Sequence, residues 1–143
     1  MIRATVDTSA LAPSIRRASQ PRSVLGPLLR AWYARQYELV ISEHILSELQ
    51  HALAAPYFSR FLSVTDQEEA LHTLRIDATI VPITVVVEGV ATHPEDDLIL
   101  ATALSGGVDY LVTLDRQLLA LASHGGIRIV TPQAFLTMLA TET

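Results

Sequence analysis

Four carboxylic acids stand where this sequence could do chemistry. Asp7 directly follows the apolar run Ile2–Val6, and Asp115 lies two residues beyond Thr113, at the end of Tyr110–Thr113. Glu48 falls one turn into a helical segment that opens at Ser42, and Asp97 falls in the first turn of another that opens at Glu95. If the runs are strands of one parallel sheet, all four acids overlook its carboxyl edge, where open α/β folds bind ligands. Four carboxylates gathered there repel one another at neutral pH. A hard divalent cation, Mg²⁺ or Mn²⁺, relieves that repulsion, because it prefers carboxylate and water oxygens and few protein ligands. Such a centre can activate water and stabilise charge on a phosphodiester.

Taken singly, each acid has a plainer role. Asp7-Thr8-Ser9 fits an Asx-turn or a helix cap, and Asp115 fits an N-cap. Glu48, beside Ile45 and Ala52, fits a solvated helix edge. Asp96 and Asp97 both favour the dipole of a helix start. Helical spacing does not choose between them: Asp97 shares a face with Leu100, Ala101 and Leu104, and Asp96 with Ile99, Leu100 and Ala103. The signal lies in the set.

The elements that must position these acids are short. Ile2–Val6, Leu39–Ile41, Ile80–Val81, Tyr110–Thr113 and Ile127–Val130 read as strands, apolar enough to be covered on both faces of a parallel sheet. Between them lie helical patterns. One opens at Ser19-Gln20-Pro21 with a stripe of Val24, Leu25, Leu28, Leu29 and Trp32. A second runs from Glu43 to Ala55, capped by Ser42 and ended by Pro56. A third starts in the capping pattern Thr65-Asp66-Gln67-Glu68 and reaches about Ala78. Others span Glu95–Ser105, stopped by Gly106-Gly107, and Asp115–Ala122, stopped by Gly125-Gly126; the last opens at Thr131-Pro132. The residues 83–90 read equally as strand or loop. The alternation predicts a single domain over 1–143, a three-layer α/β/α sandwich with a mostly parallel sheet of about five strands.

Composition narrows the classes. The 143 residues are 50% hydrophobic and 17% charged, which suits a compact fold and not a disordered chain. No apolar run approaches the roughly 18 residues that span a bilayer, and Asp7 interrupts the first apolar run, so neither a membrane span nor a signal peptide is expected. Without cysteine there is no disulfide or thiolate-metal site, and a cytoplasmic location follows as the default. All ten cations are arginine. A net charge of −5 excludes a generally basic nucleic-acid binder. Arg3, Arg16, Arg17, Arg22, Arg30 and Arg35 are nevertheless concentrated in the first quarter, as a phosphate-facing side or as ordinary solvated arginines.

The chain resembles the PIN-domain family, and within it the toxin components of prokaryotic toxin–antitoxin pairs (VapC-like). Val6-Asp7-Thr8-Ser9-Ala10-Leu11 matches the opening motif, and Ser42 to Leu49 the second. His93-Pro94-Glu95-Asp96-Asp97 with Leu98 to Leu104 resembles the third, and Tyr110 to Asp115 with Leu118-Leu119 the fourth; the last two, at this separation, are the most specific. The resemblance implies a PIN-like fold and a metal-dependent endoribonuclease with Asp7, Glu48, Asp97 and Asp115 as metal ligands. It prefers Asp97 to Asp96 by spacing to Leu100-Ala101. It places Ser9 and Thr113 as hydroxyls orienting carboxylates or water, and leaves Asp96 as an outer acid. Arg116, next to Asp115, stands where family nucleases often carry a basic residue.

The implied partners are an RNA substrate, a small antitoxin covering the acidic cleft, and a second copy of the chain. A homodimer interface has two candidates: the helix Val24–Trp32, and the segment Ala55–Leu62 with Tyr57, Phe58 and Phe61, whose aromatics also suit a core. Three other readings compete. A receiver domain needs a lysine that is absent; a haloacid-dehalogenase-like phosphatase needs an acid where Ser9 stands. The third is a PIN fold kept as a silent binding or scaffold module.

Overall fold

The computed structural model describes residues 1–18 and 26–142. β1 (Arg3–Val6), β2 (Glu38–Ile41) and β4 (Tyr110–Val112) form the centre of the sheet. Ala4, Thr5, Val6, Val40, Ile41, Leu111 and Val112 are all fully buried, which is why these segments show no polar alternation: helices flank the sheet. β3 (Thr79–Ile80), β5 (Ser123–His124) and β6 (Ile127–Val130) complete the order β3-β2-β1-β4-β6-β5. All neighbours run parallel except β5 against β6.

The sixth strand, β5, is one the sequence pattern does not announce. Gly125 and Gly126 do not stop a helix; with φ of 57° and 83° they make the two-residue turn of the β5–β6 hairpin. The helix before it, α7 (Arg116–Ala120), ends earlier than expected, with Ala122 in the left-handed region at φ 61°.

Between β1 and β2 lie α1 (Thr8–Arg17) and α2 (Gly26–Tyr33). α1 is unexpected, because Pro13 sits inside it, where a proline forfeits a helical hydrogen bond. Burial of Ala10, Leu11, Ala12 and Ser14 outweighs that cost, and Ser14 turns its hydroxyl back to the Ala10 carbonyl at 2.6 Å. The expected helix opening at Ser19-Gln20-Pro21, with Val24 and Leu25, lies outside the described residues. Leu28, Leu29, Ala31 and Trp32 of α2 are buried within the chain, so the described part of that stripe is core.

α3 (Glu43–Ala54) follows β2, with the Ser42 hydroxyl accepting from the Ile45 amide at 3.4 Å and lying 2.8 Å from Thr102 Oγ1. The short α4 (Pro56–Ser59) and α5 (Val64–Asp77) come next. The capping box of α5 opens two residues before the expected one: Ser63 and Asp66 exchange bonds of 3.1 and 3.2 Å. Residues 81–93 form neither strand nor helix. They run beside α6 (Pro94–Ser105), where the amides of Thr84 and Val85 donate to Ser105 Oγ. The chain ends in α8 (Pro132–Glu142), whose Phe135 stacks edge-on to Tyr37 with centroids 5.0 Å apart.

Candidate functional site

The strand order reverses between β1 and β4: from β1 the chain proceeds outward to β2 and β3, then returns to β1's other side. The carboxyl ends flanking such a switch point form the crevice in which α/β proteins hold ligands. Asp7 follows β1 there and Asp115 follows β4. α3 starts at the same edge after β2. α6, which leads back to the start of β4, also begins there.

Asp7 is buried, and its Oδ2 accepts from Ser9 Oγ at 2.9 Å and from Thr113 Oγ1 at 2.8 Å. The two hydroxyls are themselves oriented. Ser9 Oγ accepts from the Leu114 amide at 3.1 Å, and Thr113 Oγ1 from the Asp115 amide at 3.0 Å. Accepting a backbone N–H leaves each hydroxyl proton to point at the carboxylate. The end of β4 is thereby tied to the end of β1. Asp115 N-caps α7, its Oδ1 accepting from the amides of Gln117 and Leu118 at 2.8 and 3.3 Å. The cap role and a place at the site are not exclusive, since the cap uses one oxygen.

Glu48 projects from α3 with its Oε1 3.2 Å from His44 Nε2, one helical turn back. Burial raises its pKa above the ordinary carboxylate range; His44 opposes the shift, while Asp7, Asp96 and Glu95 add to it. Asp96 is likewise raised, first by burial, then by the charges of Asp115 and Asp7. His93 opposes that shift, and Glu95 adds to it. Asp7 and Asp96 thus bear on Glu48, and Asp7 and Asp115 bear on Asp96.

Asp97 stands apart from this group. It is buried, and its two oxygens accept from the amides of Ala91 at 2.7 Å and Gly89 at 3.0 Å. Successive helical residues point about 100° apart, so one acid of the pair faces the sheet edge and the other clamps the 81–93 segment. Spacing to Leu100-Ala101 favours Asp97 as the ligand; in the structure Asp96 feels the charges of Asp7 and Asp115, while each oxygen of Asp97 accepts from a backbone amide. The signal that could have found this is the run Gly89-Val90-Ala91, which supplies amides for a buried carboxylate. Among the described residues no three acidic or histidine side chains converge tightly enough to hold one ion as they stand.

Three of the described N-terminal arginines have partners within the fold. Arg3 pairs with Glu38 at the opposite edge, Arg30 donates to the Ala18 carbonyl, and Arg16 lies over the Phe61 ring. Arg116 is exposed at the start of α7, beside Asp115.

The chain belongs to the PIN-domain family: the family model, described as PIN domain, matches residues 3–117. No curated protein matches it by sequence. Among solved structures it is similar to PAE2754 from Pyrobaculum aerophilum, with 21% identity over 98% of this chain and 90% of that one, at a TM-score of 0.65. It is also similar to VapBC2 from Rickettsia felis bound to a promoter DNA fragment, with 15% identity, 91% and 98% coverage and a TM-score of 0.60. A third likeness is to Mycobacterium tuberculosis VapC20, a Sarcin-Ricin loop cleaving toxin, with 17% identity, 87% and 98% coverage and a TM-score of 0.56. At these identities the likeness is one of fold. No helix among the described residues is long and apolar enough to cross a membrane.

Proposed function

We propose that this chain is a metal-dependent endoribonuclease and the toxin of a toxin–antitoxin pair. The observation that carries the reading is the pair Glu48 and Asp96 at the switch point, raised in pKa first by burial and then by the neighbouring acids Asp7, Asp96 and Asp115. The donors fit Mg²⁺ or Mn²⁺: they are hard carboxylate oxygens with no thiolate among them. A cation held by these four would supply the positive charge and Lewis acidity for hydrolysing a phosphodiester.

The chain's own contribution is positioning. Ser9 and Thr113 fix the direction of the Asp7 carboxylate. The α7 amides hold Asp115, His44 steadies Glu48, and the first turn of α6 carries Asp96 to the edge. In this assignment Asp97 keeps the 81–93 segment against α6. The cleaving activity of VapC20 and the toxin–antitoxin assembly of VapBC2 support an RNA substrate and an antitoxin whose segment covers the acidic edge. A homodimer and a cytoplasmic location belong to the same reading.

One observation favours a second reading, a binding module without catalysis: the acids do not converge on one point. The test is cleavage of mixed structured and single-stranded RNAs with Mn²⁺, Mg²⁺ or EDTA, wild type beside Asp7→Asn. Metal-dependent cleavage that disappears in the variant supports the nuclease. A folded, antitoxin-free protein that neither cleaves nor gains thermal stability with Mn²⁺ supports the binding module.

A further inference from the structure

The segment around α4 exposes aromatic rings that the fold does not use. Phe58 packs against the core, but Tyr57 and Phe61 are 54% and 49% exposed. The three rings meet edge to face, with Tyr57 4.8 Å from Phe58 and 6.4 Å from Phe61. Two guanidiniums lie on them. Arg16, from the end of α1, sits 3.7 Å over the Phe61 ring, and Arg60 lies 5.3 Å from Tyr57 and 5.2 Å from Phe61. Neither arginine forms an ion pair with an acid among the described residues, and Arg16 Nε is buried without a hydrogen-bond partner. The protein is acidic as a whole, yet this patch combines part-exposed aromatic rings with two cations that no described acid pairs.

That combination suits a flexible polyanion whose bases can stack: single-stranded nucleic acid. The placement agrees. α1 and α3 both start at the acidic edge and pack side by side toward this patch. From Ser9 to Arg16 is about 10 Å along α1 at 1.5 Å per residue. A stacked strand rises about 3.4 Å per nucleotide, so roughly three nucleotides bridge the interval.

We propose that Tyr57, Phe61, Arg16 and Arg60 form a stacking ledge that holds single-stranded RNA about three nucleotides from the acids. The inference rests on the ribonuclease reading for its choice of nucleic acid. It is tested by fluorescence anisotropy with a labelled adenosine decamer in EDTA, beside a length-matched RNA duplex. Tyr57→Ala is expected to weaken decamer binding about 10-fold. Arg60→Gln is expected to lower the slope of log affinity against log salt by about one. The duplex should bind less tightly than the decamer. Both side chains are exposed, and melting curves check that the variants fold. Wild-type affinity in both variants overturns the ledge, as does failure of the wild type to bind the decamer. A change in molar mass by light scattering with RNA affinity unmoved also overturns it, making the patch a protein interface. Cleavage with Mn²⁺ is read separately. Cleavage with ledge-independent binding sinks the ledge alone, whereas ledge-dependent binding without cleavage sinks the nuclease reading alone.

Discussion

At the amino edge of the sheet, Glu38 accepts from Arg3 Nε at 2.6 Å and from Thr79 Oγ1 at 2.8 Å, and the Arg3 guanidinium also donates to the Gly106 carbonyl. These hydrogen bonds and the arginine's charge hold Glu38 below the usual carboxylate range. At the carboxyl edge, Glu48 and Asp96 are pushed the other way by burial and by other acids. One sheet therefore carries acids of two kinds. At the amino edge Glu38 is balanced and serves the fold. Those at the carboxyl edge carry repulsion that the described residues do not fully offset, as expected where a ligand completes the charge balance.

The comparison breaks most visibly at Asp7. Asp7→Asn should abolish Mn²⁺-dependent RNA cleavage and the rise in melting temperature that Mn²⁺ confers on the wild type through binding to the folded state. Its effect should exceed the roughly 10–100-fold carried by outer partners of a metal site. Retained cleavage would remove Asp7 from the site.

The neighbours Asp96 and Asp97 divide the comparison within one helix turn. Asp96→Asn should abolish cleavage and leave the melting temperature equal or higher, because a repelling charge is gone. Asp97→Ala removes a carboxylate bonded to two amides, costing about 2 kcal/mol and lowering the melting temperature by about 6 °C. The reverse pattern, activity lost only at Asp97 without loss of stability, would restore the assignment by spacing.

A smaller effect is expected at Thr113→Val, which keeps shape and removes one of the two hydroxyls aimed at Asp7. Cleavage should fall about 10–100-fold, with Mn²⁺ affinity as the second readout.

The smallest effect sharpens the amino edge. Glu38 has a lowered pKa in the fold, so its stabilisation is present above its ordinary pKa and is lost as pH falls through the lowered value. Glu38→Gln should cost about 0.5 kcal/mol at neutral pH, since the pair is more than a third exposed. The difference from wild type should vanish in acid. A difference that grows below pH 4 would contradict the sign.

Much of this was readable in the residues. The apolar runs of β1, β2 and β4 announced buried parallel strands, Ile127–Val130 announced a strand with one exposed position, and Ser42 announced the start of α3. α1 was hidden by Pro13, whose local cost is outweighed only by core burial. β5 was hidden because two residues carry no period, and Gly125-Gly126 serves a helix stop or a hairpin turn equally well. Tyr57 and Phe61 read as core or interface aromatics; their exposure depends on where α4 packs.

By itself the sequence determined the mostly parallel α/β class, the kind of acid at each strand end, and the absence of thiolate or lysine chemistry, because these follow from residue type and local spacing. The tertiary structure decided the strand order that sets Asp7 beside Asp115, and the neutralisation of Glu38 by Arg3. It also decided which of Asp96 and Asp97 faces the other acids. Those outcomes depend on partners up to 106 residues apart, such as Thr113 and Asp7, and on which side of a helix meets a returning loop. No local pattern encodes either.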